Sequence, residues 1–214
     1  VIDFDKDRSD RSTYKLLGGS IGFYGSTLNT RQYATKGYLE KLIAQVFTGR
    51  ERFEPGNPQE GYSPSPQERQ SWLQISYMKE AYHTMGPKFT LGWMAEALYS
   101  SKNFSENYTA TMMQAGEFAP TPHSKLMYNE AFRANQYVAA GIKPIYVLND
   151  MFQFRTEFYG FTPIFPIKKN ALNKAYYGKA FSRFEYMGEV SVICHLPFGA
   201  ISAYVNHYSS PRRE

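Results

Sequence analysis

Phe89-Thr90-Leu91-Gly92-Trp93-Met94-Ala95-Glu96-Ala97-Leu98-Tyr99 keeps a strict two-residue period. Phe89, Leu91, Trp93, Ala95, Ala97 and Tyr99 fall on one face of a strand, and Thr90, Gly92, Met94, Glu96 and Leu98 on the other. The stretch from Met151 to Phe161 repeats the pattern: Phe152, Phe154, Thr156 and Phe158 alternate with Gln153, Arg155, Glu157 and Tyr159. An apolar face backed by one that carries Arg and Glu fits a sheet whose outside meets lipid and whose inside meets water. The fold expected is all-β, an antiparallel up-and-down transmembrane β-barrel.

Working outward, eight strands are predicted at 14–25, 37–47, 72–81, 89–99, 136–147, 151–161, 183–196 and 200–208. Their connections alternate. Short ones fall at Met85-Gly86-Pro87, Asn149-Asp150 and Pro197-Phe198-Gly199, and long ones at 48–71, 100–135 and 162–182. Short turns at one end and long loops at the other are the asymmetry of outer-membrane barrels. The first long loop is polar from Pro55 to Gln70. The second is expected to extend its hairpin outside the membrane through 108–115, rich in Thr and Met, with one helix-length candidate at 127–135. Residues 1–214 form one domain, because no composition break divides them.

Composition agrees. No apolar run reaches the roughly 18 residues that a membrane helix needs, while 18 Tyr and 16 Phe give an aromatic content typical of chains seated at a lipid–water boundary. The net charge of +5 comes from scattered residues, with Lys168-Lys169 and Arg212-Arg213 as isolated pairs. That pattern argues against nucleic acid and for a solvated loop surface drawn to anionic lipid. A single Cys194 excludes an internal disulfide framework, and its neighbours Val190, Val192 and Leu196 make it a packed thiol. No signal peptide precedes Val1, so an exported chain is expected to be mature or cut from a longer one.

Several motifs imitate chemistry. Gly18-Gly19-Ser20-Ile21-Gly22 matches the G-x-S-x-G elbow of lipases, but no helix pattern follows it, so a strand of small inward residues is expected and Ser20 is not a nucleophile. Asp3, Asp5, Asp7 and Asp10 resemble a calcium loop until Arg8 and Tyr14 occupy the positions that need Gly and Glu. His83, His123, His195 and His207 lack metal-ligand spacing, and the adjacent His123-Ser124 pair sits in a Pro-flanked loop. No catalytic residue, metal or cofactor is expected. Glu80, Glu96, Arg155 and Glu157 are the charges that alternation turns inward, where they serve as ionic struts or line a wet lumen.

Thr30-Arg31-Gln32-Tyr33-Ala34-Thr35-Lys36-Gly37-Tyr38 resembles the turn that opens a strand in the BamA/TamA-like surface-antigen barrel family, with Ala34 where that family often has Pro. Pro197-Phe198-Gly199 before Ala200-Ile201-Ser202 is similar to its turn into the penultimate strand. The resemblance marks Thr35, Lys36, Gly37, Pro197, Phe198 and Gly199 as motif turns. It implies a sixteen-stranded barrel of which this is the C-terminal half, trimmed of the final strand after Glu214.

The resemblance further implies a non-enzymatic barrel in the bacterial outer membrane. Its partners would be membrane lipid, an N-terminal partner domain or other outer-membrane proteins, and its role to anchor, export or assemble them. Phe132-Arg133-Ala134-Asn135 lacks the Gly of the Arg-Gly-aromatic motif of insertase members. The alternatives are a barrel lipid hydrolase, the anchor of a patatin-like phospholipase, and a soluble lipocalin-like carrier with its aromatic face inside.

Overall fold

A computed structural model of the chain describes residues 10–56 and 69–210. Asp3, Asp5, Asp7, Arg212, Arg213 and most of the polar 55–70 loop lie outside the described residues. Eight long strands form one antiparallel meander: β1 (Arg11–Ser26), β2 (Gly37–Glu54), β3 (Arg69–Thr84), β4 (Phe89–Ser100), β5 (Gln136–Val147), β6 (Phe152–Pro163), β7 (Glu185–Leu196) and β8 (Gly199–Tyr208). Every strand pairs with its sequence neighbours, so the two-residue period sets both the strands and their order. The first hairpin is taller than expected, since β1–β2 pairing continues from Ser26↔Leu39 to Arg11↔Glu54.

The register carries each face across the sheet. Phe89, Tyr146, Phe154, Val192 and Ala203 stand in one row, and Ile21, Ala44, Ile75 and Tyr99 in another. Residues one step along the strands point the opposite way, and there the burial lies: Phe154 is 46% exposed and Arg155 3%.

The sheet is strongly curled. The Tyr33 hydroxyl, on the β1–β2 connection, donates to Ser202 Oγ on β8 at 2.8 Å; in a flat sheet β2 and β8 would lie ~29 Å apart. The curl brings the two edges towards each other, yet β1 and β8 do not pair among the described residues.

Both ends of the buried face are filled by connections. Between β4 and β5, helix α1 (Tyr108–Gln114) is capped by Asn107, whose side-chain oxygen accepts from Ala110 N at 2.6 Å. Helix and cap replace the hairpin extension expected at 108–115, because an Asn cap followed by Ala and two Met favours helix. The expected helix at 127–135 is also absent. A single 3-10 turn at Glu130–Phe132 leads into a two-residue strand, Arg133–Ala134, paired with Gly116–Glu117. Ala131, Phe132 and Ala134 are all buried, which suits a segment enclosed on every side rather than one with a helical stripe.

Phe118 and Phe132 from this connection pack on Met94, Leu98, Tyr137, Tyr159, Phe161 and Met187 of the wall. Each aromatic buried this way stabilises by roughly 1.5–3 kcal/mol. At the other end the β1–β2 connection turns under the sheet. Ala34 packs there with Tyr82 and Ile145, and the following Gly37 adopts φ +90, where a Cβ would sit 2.1 Å from Thr27 O. The Thr35-Lys36-Gly37 motif is thus a turn that only glycine completes.

Candidate functional site

Two features stand out, the apolar outer face and an ionic cluster on the buried face. Among the described residues no helix is long and apolar enough to cross a membrane. The outer face is apolar on every strand: Ile21, Val46, Ile75, Phe89, Ile142, Phe158, Val190 and Val205 are all exposed large apolar side chains. From Phe89 to Tyr99 the face runs ten residue steps, ~34 Å along the strand and ~26 Å in height at a tilt near ~40°, against the ~25 Å apolar band of membrane barrels. An outward ion pair interrupts the face: Glu40 and Lys79 pair at 3.6 Å in the row of Ala95, near the middle of the Phe89–Tyr99 span, with Tyr77 donating to Glu40 at 2.6 Å.

On the buried face the alternation places Glu80 on β3, Lys143 on β5 and Arg155 and Glu157 on β6. Lys143 Nζ lies 2.9 Å from Glu80 Oε1, and Arg155 Nη2 2.9 Å from Glu157 Oε1. Tyrosines finish the network: Tyr159 donates to Glu157 Oε2 at 2.6 Å, Tyr82 donates to Glu80, and Arg155 Nη2 donates to the Tyr82 hydroxyl at 3.3 Å. Two cations thus meet two carboxylates with their hydrogen-bonding capacity largely used, the condition under which buried charge is tolerated. Arg155 also donates to Ala34 O at 3.0 Å and Gln153 Nε2 to Tyr33 O at 3.2 Å, so the cluster ties β6 to the inserted turn.

Of the four charges read from sequence, Glu80, Arg155 and Glu157 come together in this cluster. Glu96 stands apart and accepts from the Tyr137 hydroxyl at 2.6 Å. Lys143 and Glu189 were missed, although alternation marks both: Val138, Ala140 and Ile142 point outward, hence Lys143 inward. Glu189 sits opposite Glu157, and its Oε2 has no partner among the described residues.

The remaining motifs take structural places. Ser20 lies within β1 opposite Gln45, and His123 Nδ1 sits 3.0 Å from the Tyr208 hydroxyl. No serine is hydrogen bonded to a histidine among the described residues. Cys194 faces outward beside Val192 and opposite Phe152, and Pro197 and Phe198 form the exposed turn before Gly199. Arg133 bonds Glu117 at 2.7 Å and stacks over Tyr128, while Phe132 beside it is buried in the core.

Three of the connections bear on what the arrangement does. Loops at 101–135 and 164–184 fold over one end and the turn at 27–36 under the other, so the buried face is a wall packed on inserted chain. Among protein-family models, curated proteins and solved structures, no match to this chain is found.

Proposed function

We propose that the chain is the transmembrane wall of an outer-membrane β-barrel of surface-antigen type, which anchors a partner domain or protein or helps to export or assemble it. The observation that carries this is the apolar outer face, exposed on all eight strands and interrupted by the paired Glu40 and Lys79, backed by buried charge. A soluble monomer rarely exposes an apolar patch of more than a few hundred Å².

The wall is part of a larger barrel. An eight-stranded barrel has an interior that side chains alone fill, whereas here backbone of the 27–36 turn and two aromatics of the 101–135 connection lie against the inner face. Among the described residues the outer edges of β1 and β8 also have no ladder partner, which is costly in hydrocarbon. The resemblance to surface-antigen barrels supplies the count of about sixteen strands, of which this would be the C-terminal part, and further strands would pair those two edges.

The lipid-hydrolase reading gains no support from Ser20 and His123, which stand on separate elements with other partners. A soluble carrier with its aromatic face inside conflicts with the outward Phe154 and inward Arg155. Expression of the full chain in a Gram-negative host followed by urea washing of membranes tests the proposal. Retention in the washed membranes is expected, and a chain that stays soluble overturns it.

A further inference from the structure

The connection from β6 to β7 holds five of the protein's 24 Lys and Arg residues in one short segment. Between residues 164 and 184 it carries Lys168, Lys169, Lys174, Lys179 and Arg183 with no Asp or Glu. The 101–135 connection beside it balances its cations with Glu106, Glu117 and Glu130. Lys168-Lys169, an isolated pair in sequence, is joined to Lys174 and Lys179 by folding. Ile167–Lys169 pairs with Ala175–Tyr177, setting Lys168 opposite Tyr176. The Lys168 stem crosses Gly178, the residue before Lys179 in sequence, where a Cβ would lie 2.9 Å from Lys168 Cε. Arg183 is held by Glu185 at 2.8 Å. The four lysines are exposed and make no ion pair among the described residues.

Large apolar side chains are interleaved with these cations. Leu172 at the ribbon tip, Tyr176, Phe181 and Phe184 are all exposed. Phe181 is held at φ 51, uncommon for a residue with a side chain, while its N–H donates to Ile164 O at 2.9 Å. Phe184 rests against Gly160, where a Cβ would meet its ring at 3.0 Å. Gly160 lies in the outward series of β6, so the patch continues the apolar outer face at its long-connection end.

We propose that this connection is a docking surface for anionic lipid head groups, with Lys168, Lys174 and Lys179 on the phosphates and Leu172, Phe181 and Phe184 at the acyl boundary. Ammonium groups on long stems beside aromatic rings suit that interface, where polarity changes over a few ångströms. The inference rests on the membrane reading but adds a lipid charge preference that the outer face alone does not require.

The test uses the full chain, reconstituted first into phosphatidylcholine vesicles and then titrated in detergent with phosphatidylglycerol or phosphatidylcholine, bound lipid being counted by native mass spectrometry. The wild type is expected to prefer phosphatidylglycerol. The triple variant Lys168→Ala, Lys174→Ala, Lys179→Ala should lose at least about tenfold of that preference, while Lys88→Ala, at the opposite end, keeps it. Equal preference in the triple variant, or none in the wild type, overturns the proposal and leaves the membrane reading standing. Failure to enter phosphatidylcholine vesicles removes both. Capture of polyglutamate without a lipid preference would assign the surface to an acidic protein and likewise overturn it.

Discussion

Lys143 Nζ reaches Glu80 Oε1 at 2.9 Å across an intervening strand, passing diagonally over β4 between Gly92, opposite Lys143, and Met94, opposite Glu80. Gly92 pairs with both Tyr82 and Lys143, and a Cβ there would come within 2.7 Å of the Tyr82 ring and 3.1 Å of Lys143 Cβ. The missing side chain is what lets a cation from β5 and a carboxylate from β3 meet over β4.

Gly92→Ala is therefore expected to destabilise the fold by about 1–3 kcal/mol, the usual cost of forcing an extra carbon into a packed site. The measurement is the urea unfolding midpoint in detergent. An unchanged midpoint would mean that Tyr82 moves aside freely and that the cluster is loosely held.

Lys143→Met leaves the Glu80 carboxylate buried with Tyr82 as its hydrogen-bond donor, and should cost about 3–5 kcal/mol. Pairing it with Glu80→Gln removes the stranded charge and should recover a large part of the loss. Simple additivity of the two single changes would show that the pair does not couple.

Eight strands and their neighbours were legible because a half-buried strand writes itself as alternation, and Phe154 beside Arg155 is that alternation at its plainest. The connections were not. By sequence Phe118 looks like a loop residue, and Phe132 and Ala134 like part of a helix at 127–135, because the wall they pack against is contributed by β4 to β7. The helix at Tyr108–Gln114 did leave a signal in Asn107, which was passed over for the Thr and Met that follow. Lys143 is legible by the same rule, since the strand expected at 136–147 turns Val138, Ala140 and Ile142 outward and Lys143 inward.

Lys102, just beyond β4, is buried between the rings of Tyr14 and Trp72, its Nζ 5.6 and 5.0 Å from their centroids. Burial pulls its pKa down from 10.5 to about 8, and Glu51 opposes this only in part. The folded state therefore binds fewer protons than the unfolded one between these values. Stability should rise as pH climbs from about 8 to 10.5, the cost of the buried ammonium being fully present below that window. Lys102→Met should remove this rise. The difference between the pH profiles of variant and wild type isolates Lys102 from the tyrosines that also titrate, and parallel profiles would disprove it.

Phe154 decides the polarity of the wall. It is 46% exposed on the outer face, in a row with Phe89, Tyr146 and Val192. If that face meets hydrocarbon, Phe158→Arg, in the row of Trp93 and Ile142 near the middle of the Phe89–Tyr99 span, should cost about 2–4 kcal/mol, against about 0–1 kcal/mol for Phe154→Arg at its rim. If it meets water, Phe158→Arg should stay within about 0.5 kcal/mol, as exposed substitutions do. Reversible unfolding from vesicles separates these values. A neutral result would return the outer face to solvent, or to a protein partner, and the transmembrane reading would fall with it.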